Sequence, residues 1–168
     1  MRIAEIMSTP SATCGPDANL TAVAELMRAQ DCGFVPVVGA CAGVVGVVTD
    51  RDVCIASATG RRLPGDISAA QAMTSPVHTC LSADRPGDAL AVMKRFRVRR
   101  LAVIDQRGQL QGVVSMNDIV RASERTGEPE AKDIVSALAA ICAGRPAAPV
   151  TGWLPHAGID APRHGAGR

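Results

Sequence analysis

Gly46-Val47-Val48-Thr49-Asp50-Arg51-Asp52 recurs, 66 positions further on, as Gly112-Val113-Val114-Ser115-Met116-Asn117-Asp118. Working outward from this pair, the same offset lays Ile6–Cys54 on Ala72–Val120 without a gap. Identities include Met7/Met73, Pro10/Pro76, Thr13/Thr79, Cys14/Cys80, Met27/Met93 and Val37/Val103, with Ser8/Thr74 and Thr49/Ser115 as similar pairs. A shared period over so long a run marks one structural unit used twice.

Each unit reads as strand, helix, strand, strand, helix. Leu20–Gln30 places Val23, Leu26 and Met27 on one face, so it is an amphipathic helix. Its equivalent, Pro86–Phe96, starts with proline at the first helical position, where a missing N–H costs nothing. Two β-branched runs follow in each copy, Phe34–Val38 with Val44–Thr49 and Leu101–Ile104 with Leu110–Ser115, spaced as hairpins. Thr49 and Ser115 then supply a capping hydroxyl ahead of an acidic first helical turn. A short strand is expected near Thr13 and near Thr79. The fold class is therefore α+β, as two pseudo-symmetric βαββα units packed sheet to sheet, because one unit alone buries too little surface. The units span residues 1–59 and 67–125, with a Gly- and Pro-broken linker at 60–66. Residues 126–145 hold a further helix, with Ile134, Val135, Leu138, Ile141 and Cys142 on one stripe, and 146–168 read as a flexible tail.

Composition narrows the function classes. The 168 residues are 47% hydrophobic and 20% charged, as in globular proteins. Two Phe, one Trp and no Tyr leave few stacking surfaces for single-stranded nucleic acid, and a net charge of +2 is too small for a general polyanion binder. No nucleic-acid partner is expected. The longest apolar run, Gly43–Val48, is strand-sized, far short of a membrane span, and the N-terminus lacks signal-peptide features; the expected location is cytoplasmic. None of the six cysteines forms Cys-x-x-Cys, so free and mostly buried thiols are expected. His156 and His164 lack metal-ligand spacing, and no nucleophile–base set can be built around His78, which argues against an enzyme.

The combination of Met-Ser/Thr-x-Pro, an amphipathic helix, a Val-Pro-Val-Val strand and Gly-Val-Val-Thr/Ser-x-x-Asp, present twice, resembles the cystathionine-β-synthase (CBS) domain. The resemblance covers Ile3–Arg125, and the tandem is similar to a stand-alone Bateman module. The first copy keeps Phe34-Val35-Pro36-Val37-Val38, whereas the second has Ala102 where proline is usual, which leaves its strand entrance less rigid. The resemblance implies two clefts between the repeats, occupied by adenine nucleotides (AMP, ADP, ATP or a related adenosyl ligand). It also implies a disc-shaped homodimer and signalling of occupancy to a protein partner.

The nucleotide contacts implied are Thr13, Pro36, Thr49, Arg51, Asp52, Thr79, Arg99, Arg100, Ser115 and Asp118. A helix N-terminus favours anionic and acceptor groups, and an aspartate one turn on offers acceptors to ribose hydroxyls. The residues alone fit equally a cap that only stabilises its helix. Lys94-Arg95-Phe96-Arg97-Val98-Arg99-Arg100 is a basic run whose end precedes a strand. Arginine suits phosphate through its planar fork. By the resemblance, Arg99 and Arg100 face the Thr49/Asp52 cleft, while Ser115 and Asp118 face uncharged Gly33 and Phe34. The first cleft is therefore the expected phosphate site, with Mg²⁺ bridging Asp50 and Asp52 to phosphates as an option. Two other classes stay open: a structural dimerisation module with vestigial, empty clefts, and a nucleotide hydrolase.

Overall fold

The computed structural model describes residues 1–9, 12–40 and 42–143. In the first repeat, helix α1 (Leu20–Ala29) is followed by strands β1 (Phe34–Val38) and β2 (Val44–Thr49) and helix α2 (Asp50–Gly60). A 3-10 turn at Pro64–Asp66 and the short helix α3 (Ala69–Ala72) lead to the second repeat. That repeat comprises β3 (Thr79–Leu81), α4 (Pro86–Phe96), β4 (Arg100–Ile104), β5 (Leu110–Ser115) and α5 (Met116–Thr126). Helix α6 (Ala131–Cys142) follows. The expectation for 146–168 lies outside the described residues.

The hairpins form as their spacing requires. β1 pairs antiparallel with β2, with Phe34 opposite Thr49, and β4 pairs antiparallel with β5, with Arg100 opposite Ser115. Both carry a bulge at the same repeat position, Val37/Val38 and Val103/Ile104. The strand at Thr79 exists as β3, parallel to β4. Its expected counterpart at Thr13 shrinks to one bridge, in which Cys14 N donates to Pro36 O and Val38 N donates to Cys14 O, at 3.2 and 2.9 Å. Backbone turns repeat as well. Asp31 and Arg97 both take positive φ (47° and 54°) where helix turns to strand, and Arg61 (49°) matches Gly127 (75°) after the second helix.

Two apolar cores result, one per repeat. Val35, Val37 and Val48 pack with Leu20, Val23 and Met27, while Leu101, Val103 and Val114 pack with Leu90, Met93 and Ile119. Alternation points buried Pro36 and Ala102 to the opposite faces of their sheets. The two sheets meet near their pseudo-twofold, where Gly43 bridges its own repeat equivalent, Gln109.

The lead-in segments are exchanged between the repeats. Ile3 is fully buried in the core of the second repeat, and Ile67 and Ala69 are buried in the core of the first. Ser8 forms a two-way backbone pair with Val113 on β5, both bonds at 2.9 Å, and Thr74 does the same with Val47 on β2. The adjacent methionines fill space left by glycines. A Cβ on Gly112 would stand 2.7 Å from Met7 Sδ and 2.8 Å from the Ser8 carbonyl, and one on Gly46 would overlap Met73. Each repeat's lead-in segment thus completes the core of the other repeat.

The thiols depart partly from expectation. Cys14, Cys32, Cys54, Cys80 and Cys142 are free, but among them only Cys80 is buried, and Cys54 and Cys142 are exposed. Burial, and secondarily the Asp84 carboxylate, pushes the Cys80 thiol up to about 12.

Gly112→Ala is expected to destabilise the fold by about 1–3 kcal/mol through overpacking against a backbone carbonyl. Gly87→Ala, in a helix with nothing near its Cβ position, is expected to be neutral or stabilising. Urea denaturation of both variants checks the contrast. At pH 9, Cys80 is expected to resist maleimide until the chain unfolds, while exposed Cys54 reacts in the folded state; mass spectrometry of the labelled peptides reads this.

Candidate functional site

The site grows from the start of α5. Ser115 Oγ accepts from Asp118 N at 3.3 Å, and Asp118 Oδ2 accepts from Ser115 N and Oγ at 2.8 and 2.6 Å. This reciprocal box satisfies donors that a helix N-terminus otherwise leaves open. Met116 N donates to Arg99 O at 2.9 Å, which leaves Asn117 N–H as the first-turn donor without a partner among the described residues. All the Asp118 contacts run through Oδ2, so Oδ1 remains for a ligand.

A cleft of about 560 Å³ opens at this point, within the usual range for small-molecule sites. Ser115, Asn117, Asp118 and Arg121 form one wall with Val113 and Arg100. Across it stand Phe34, Cys32, Asp31 and Gln30 from the α1–β1 turn, and Ser8, Thr9 and Ala12 from the lead-in segment. Both repeats therefore contribute, and two guanidinium groups share the space with two carboxylates.

The matching position in the first repeat is built differently. Thr49 and Asp52 make the same box, with Thr49 N and Oγ1 donating to Asp52 Oδ2 at 2.8 and 2.6 Å. There Asp50 Oδ1 accepts from Arg51 N at 2.8 Å, occupying the donor that is open at Asn117. The same carboxylate lies over Gly33, whose added Cβ would be 2.8 Å from Asp50 Oδ2. An internal carboxylate thus takes the place an anionic ligand group would use. Ile55 stands where the second repeat has Arg121.

The expected site residues separate accordingly. Arg100, Ser115 and Asp118 line the large cleft. Thr13 lines a second cavity of about 260 Å³ with Thr9, Val38, Ala42, Leu110 and Gln111. Neither cavity reaches Pro36, Thr49, Arg51, Asp52, Thr79 or Arg99. Pro36 is fully buried in β1, and Thr79 is half-buried in β3.

Arg100, expected to face the Thr49/Asp52 cleft, lines the Ser115/Asp118 cleft, next to Ser115 on the paired strand. The Ser115/Asp118 cleft does meet Phe34, but it is charged rather than neutral. Arg121 was legible in principle, since it lies three residues after Asp118 on the same helical face. Asp31 carried no such signal; a left-handed turn brings it in. Among the described residues no three His, Cys, Asp or Glu side chains gather to hold a metal ion, and no helix is long and apolar enough to cross a membrane.

The CBS domain family matches residues 3–58 and 65–125. Hypoxic response protein 1 of Mycobacterium tuberculosis is 30% identical over 117 residues, which is 70% of this chain and 81% of that protein. An uncharacterised Methanopyrus kandleri protein is 28% identical over 119 residues, 71% of this chain and 61% of its own length. The match to the inosine-5'-monophosphate dehydrogenase of Mycobacterium bovis spans 21% of that enzyme. Among solved structures, a CBS domain protein of unknown function from Thermoplasma acidophilum aligns with a TM-score of 0.71 at 19% identity, covering 83% of this chain and 75% of that one. A Pyrobaculum aerophilum CBS domain protein complexed with AMP aligns with a TM-score of 0.64 at 24% identity, covering 83% and 99%. Its two matched repeats and their shared packing make this chain a member of the CBS domain family, as a tandem pair.

Proposed function

We propose that this CBS pair is a cytoplasmic regulatory module that binds an adenine nucleotide in the Ser115/Asp118 cleft and signals occupancy to a protein partner. The observation that carries the reading is the cleft itself, where Asp118 Oδ1 and the Asn117 N–H stand open beside Arg100 and Arg121. Asp118 would accept from ribose hydroxyls, as expected of the repeated aspartate. Arg100 and Arg121 would donate to phosphate oxygens, so AMP, ADP or ATP fits better than an uncharged nucleoside. Phe34 offers an apolar surface to the base. Related CBS pairs support the ligand class, one having been solved with AMP and another with 5'-methylthioadenosine and S-adenosyl-L-methionine.

The Asp50 carboxylate on the α2 N-terminus favours the vestigial reading for the first cleft alone. Thr49, Arg51 and Asp52 then serve α2 rather than a phosphate. Because the cleft draws on both repeats, a ligand can bias the angle between them, as far as its affinities for the two arrangements differ. We propose further that the pair works as a homodimer, the form in which such a bias would reach a partner.

Titration calorimetry with AMP and adenosine tests this reading. Losing a charge-assisted bond is worth about 1.5–3 kcal/mol, so Asp118→Ala is expected to weaken AMP roughly tenfold or more, with Asp52→Ala near wild type. Each variant loses the carboxylate arm of one capping box, so their comparison separates binding from the shared cost in stability. Replacing Arg100 and Arg121 with alanine is expected to weaken AMP while leaving adenosine nearly unchanged. Equal AMP affinity in wild type and Asp118→Ala overturns the assignment, and turnover of ATP without the partner overturns the non-catalytic reading.

A further inference from the structure

His78 and Phe96 stack on one another, with ring centroids 3.9 Å apart and planes 15° from parallel. The Arg95 guanidinium lies over the same Phe96 ring, 5.1 Å from its centroid. Rings this close and this parallel form a packed aromatic pair. Phe96 is 36% exposed and His78 half-buried, so the pair sits at the surface of the second repeat rather than in its core.

The internal repeat fixes where this pair stands. At the offset of 66, His78 is the counterpart of Ala12 and Phe96 that of Gln30. Ala12 and Gln30 both line the Ser115/Asp118 cleft. The backbone carries the correspondence into space. Ser8 is held on Val113 of β5, the strand that ends in Ser115, and Thr74 is held on Val47 of β2, the strand that ends in Thr49. Gln30 and Phe96 each precede a left-handed residue, Asp31 and Arg97, at the turn from helix to strand. The His78–Phe96 pair therefore stands against the Thr49/Asp52 cleft as Ala12 and Gln30 stand against the open one. What differs is bulk. Where the open cleft has a methyl group and an unbranched amide side chain, this one has two rings in contact. Asp50 Oδ1 already accepts from Arg51 N, the donor whose counterpart at Asn117 is open.

We propose that the Thr49/Asp52 cleft is closed from within, the His78–Phe96 stack excluding a base and the Asp50 carboxylate excluding an anionic group, so that each chain takes one nucleotide. This rests on the nucleotide reading above for the ligand, and adds the number of sites and the side chains that set it.

Calorimetric titration of the full chain with AMP counts the sites. Wild type is expected to bind one AMP per chain. His78→Ala, Phe96→Gln and Asp50→Met together give the closed cleft the residues of the open one, Ala12, Gln30 and Met116. This triple variant is expected to bind a second AMP, about tenfold more weakly than the first because Ile55 stands in place of Arg121. Adding Asp52→Ala is expected to remove the gain, and an Asp118 site kept at wild-type affinity certifies the fold. Proton NMR of wild type needs no substitution: the His78 ring protons are expected upfield, over the Phe96 ring, and saturating AMP is expected to leave them there. If the triple variant does not fold, this readout decides alone. Two AMP per wild-type chain, a folded variant that stays at one, or AMP that returns those resonances to ordinary positions overturns the closure and leaves the nucleotide reading standing. A wild type that binds no AMP overturns the nucleotide reading. The closure is then supported by a variant that gains one Asp52-dependent site and overturned by one that gains none.

Discussion

The architecture depends on a reciprocal exchange. Met7-Ser8 crosses to β5 of the second repeat, and Met73-Thr74 crosses to β2 of the first. Each crossing adds two backbone hydrogen bonds to a strand edge and seats a methionine against a glycine. Neither strand edge could stay unpaired without cost, and neither glycine could be larger without displacing its methionine. The same exchange carries Ile3 and Ile67 into opposite cores, so each repeat completes the other. Two units too small to be secure alone become one body through this trade.

The cleft is a by-product of that arrangement. The segment carrying Ser8 and Thr9 is held by β5, the strand that ends in Ser115. A wall from the first repeat is thereby fixed against the capped helix of the second. Both repeats form the same hydroxyl–aspartate box, and in both it occupies one carboxylate oxygen. What distinguishes them is the residue between hydroxyl and box partner. Asp50 bonds the neighbouring N–H from its own side chain, whereas Met116 carries no acceptor that could do so. One substitution within a repeated motif thus makes one helix N-terminus self-sufficient and leaves the other open.

The same asymmetry runs through the outer surface. Helix α6 follows the second repeat and packs on α4, while the chain after the first repeat turns through Pro64–Asp66 and α3 into β3. Pseudo-symmetry therefore holds in the sheets and fails beside the helices, where α6 packs on α4 while Pro64–Asp66 and α3 pack on α1 and α2.

The sequence by itself determined the repeat, the element order and the identity of the capping boxes. These depend on local rules: the helical and strand periods of Val and Leu, proline at Pro86, and a hydroxyl three residues before an aspartate. It also marked Met7/Met73 and Gly46/Gly112 as shared, without revealing that each glycine receives the methionine of the other repeat. That contact joins residues far apart in the chain, so no spacing encodes it. For the same reason the sequence could not place Arg100 in the Ser115/Asp118 cleft, because the packing of the two repeats decides what the start of β4 lines. Nor could it tell which side of α6 is buried, since Ile134 and Val135 are equally apolar and only packing against α4 selects between them. Tertiary structure decided which residues face the open motif, because only the packing of the two repeats brings Ser8, Thr9, Asp31 and Phe34 across from Ser115 and Asp118.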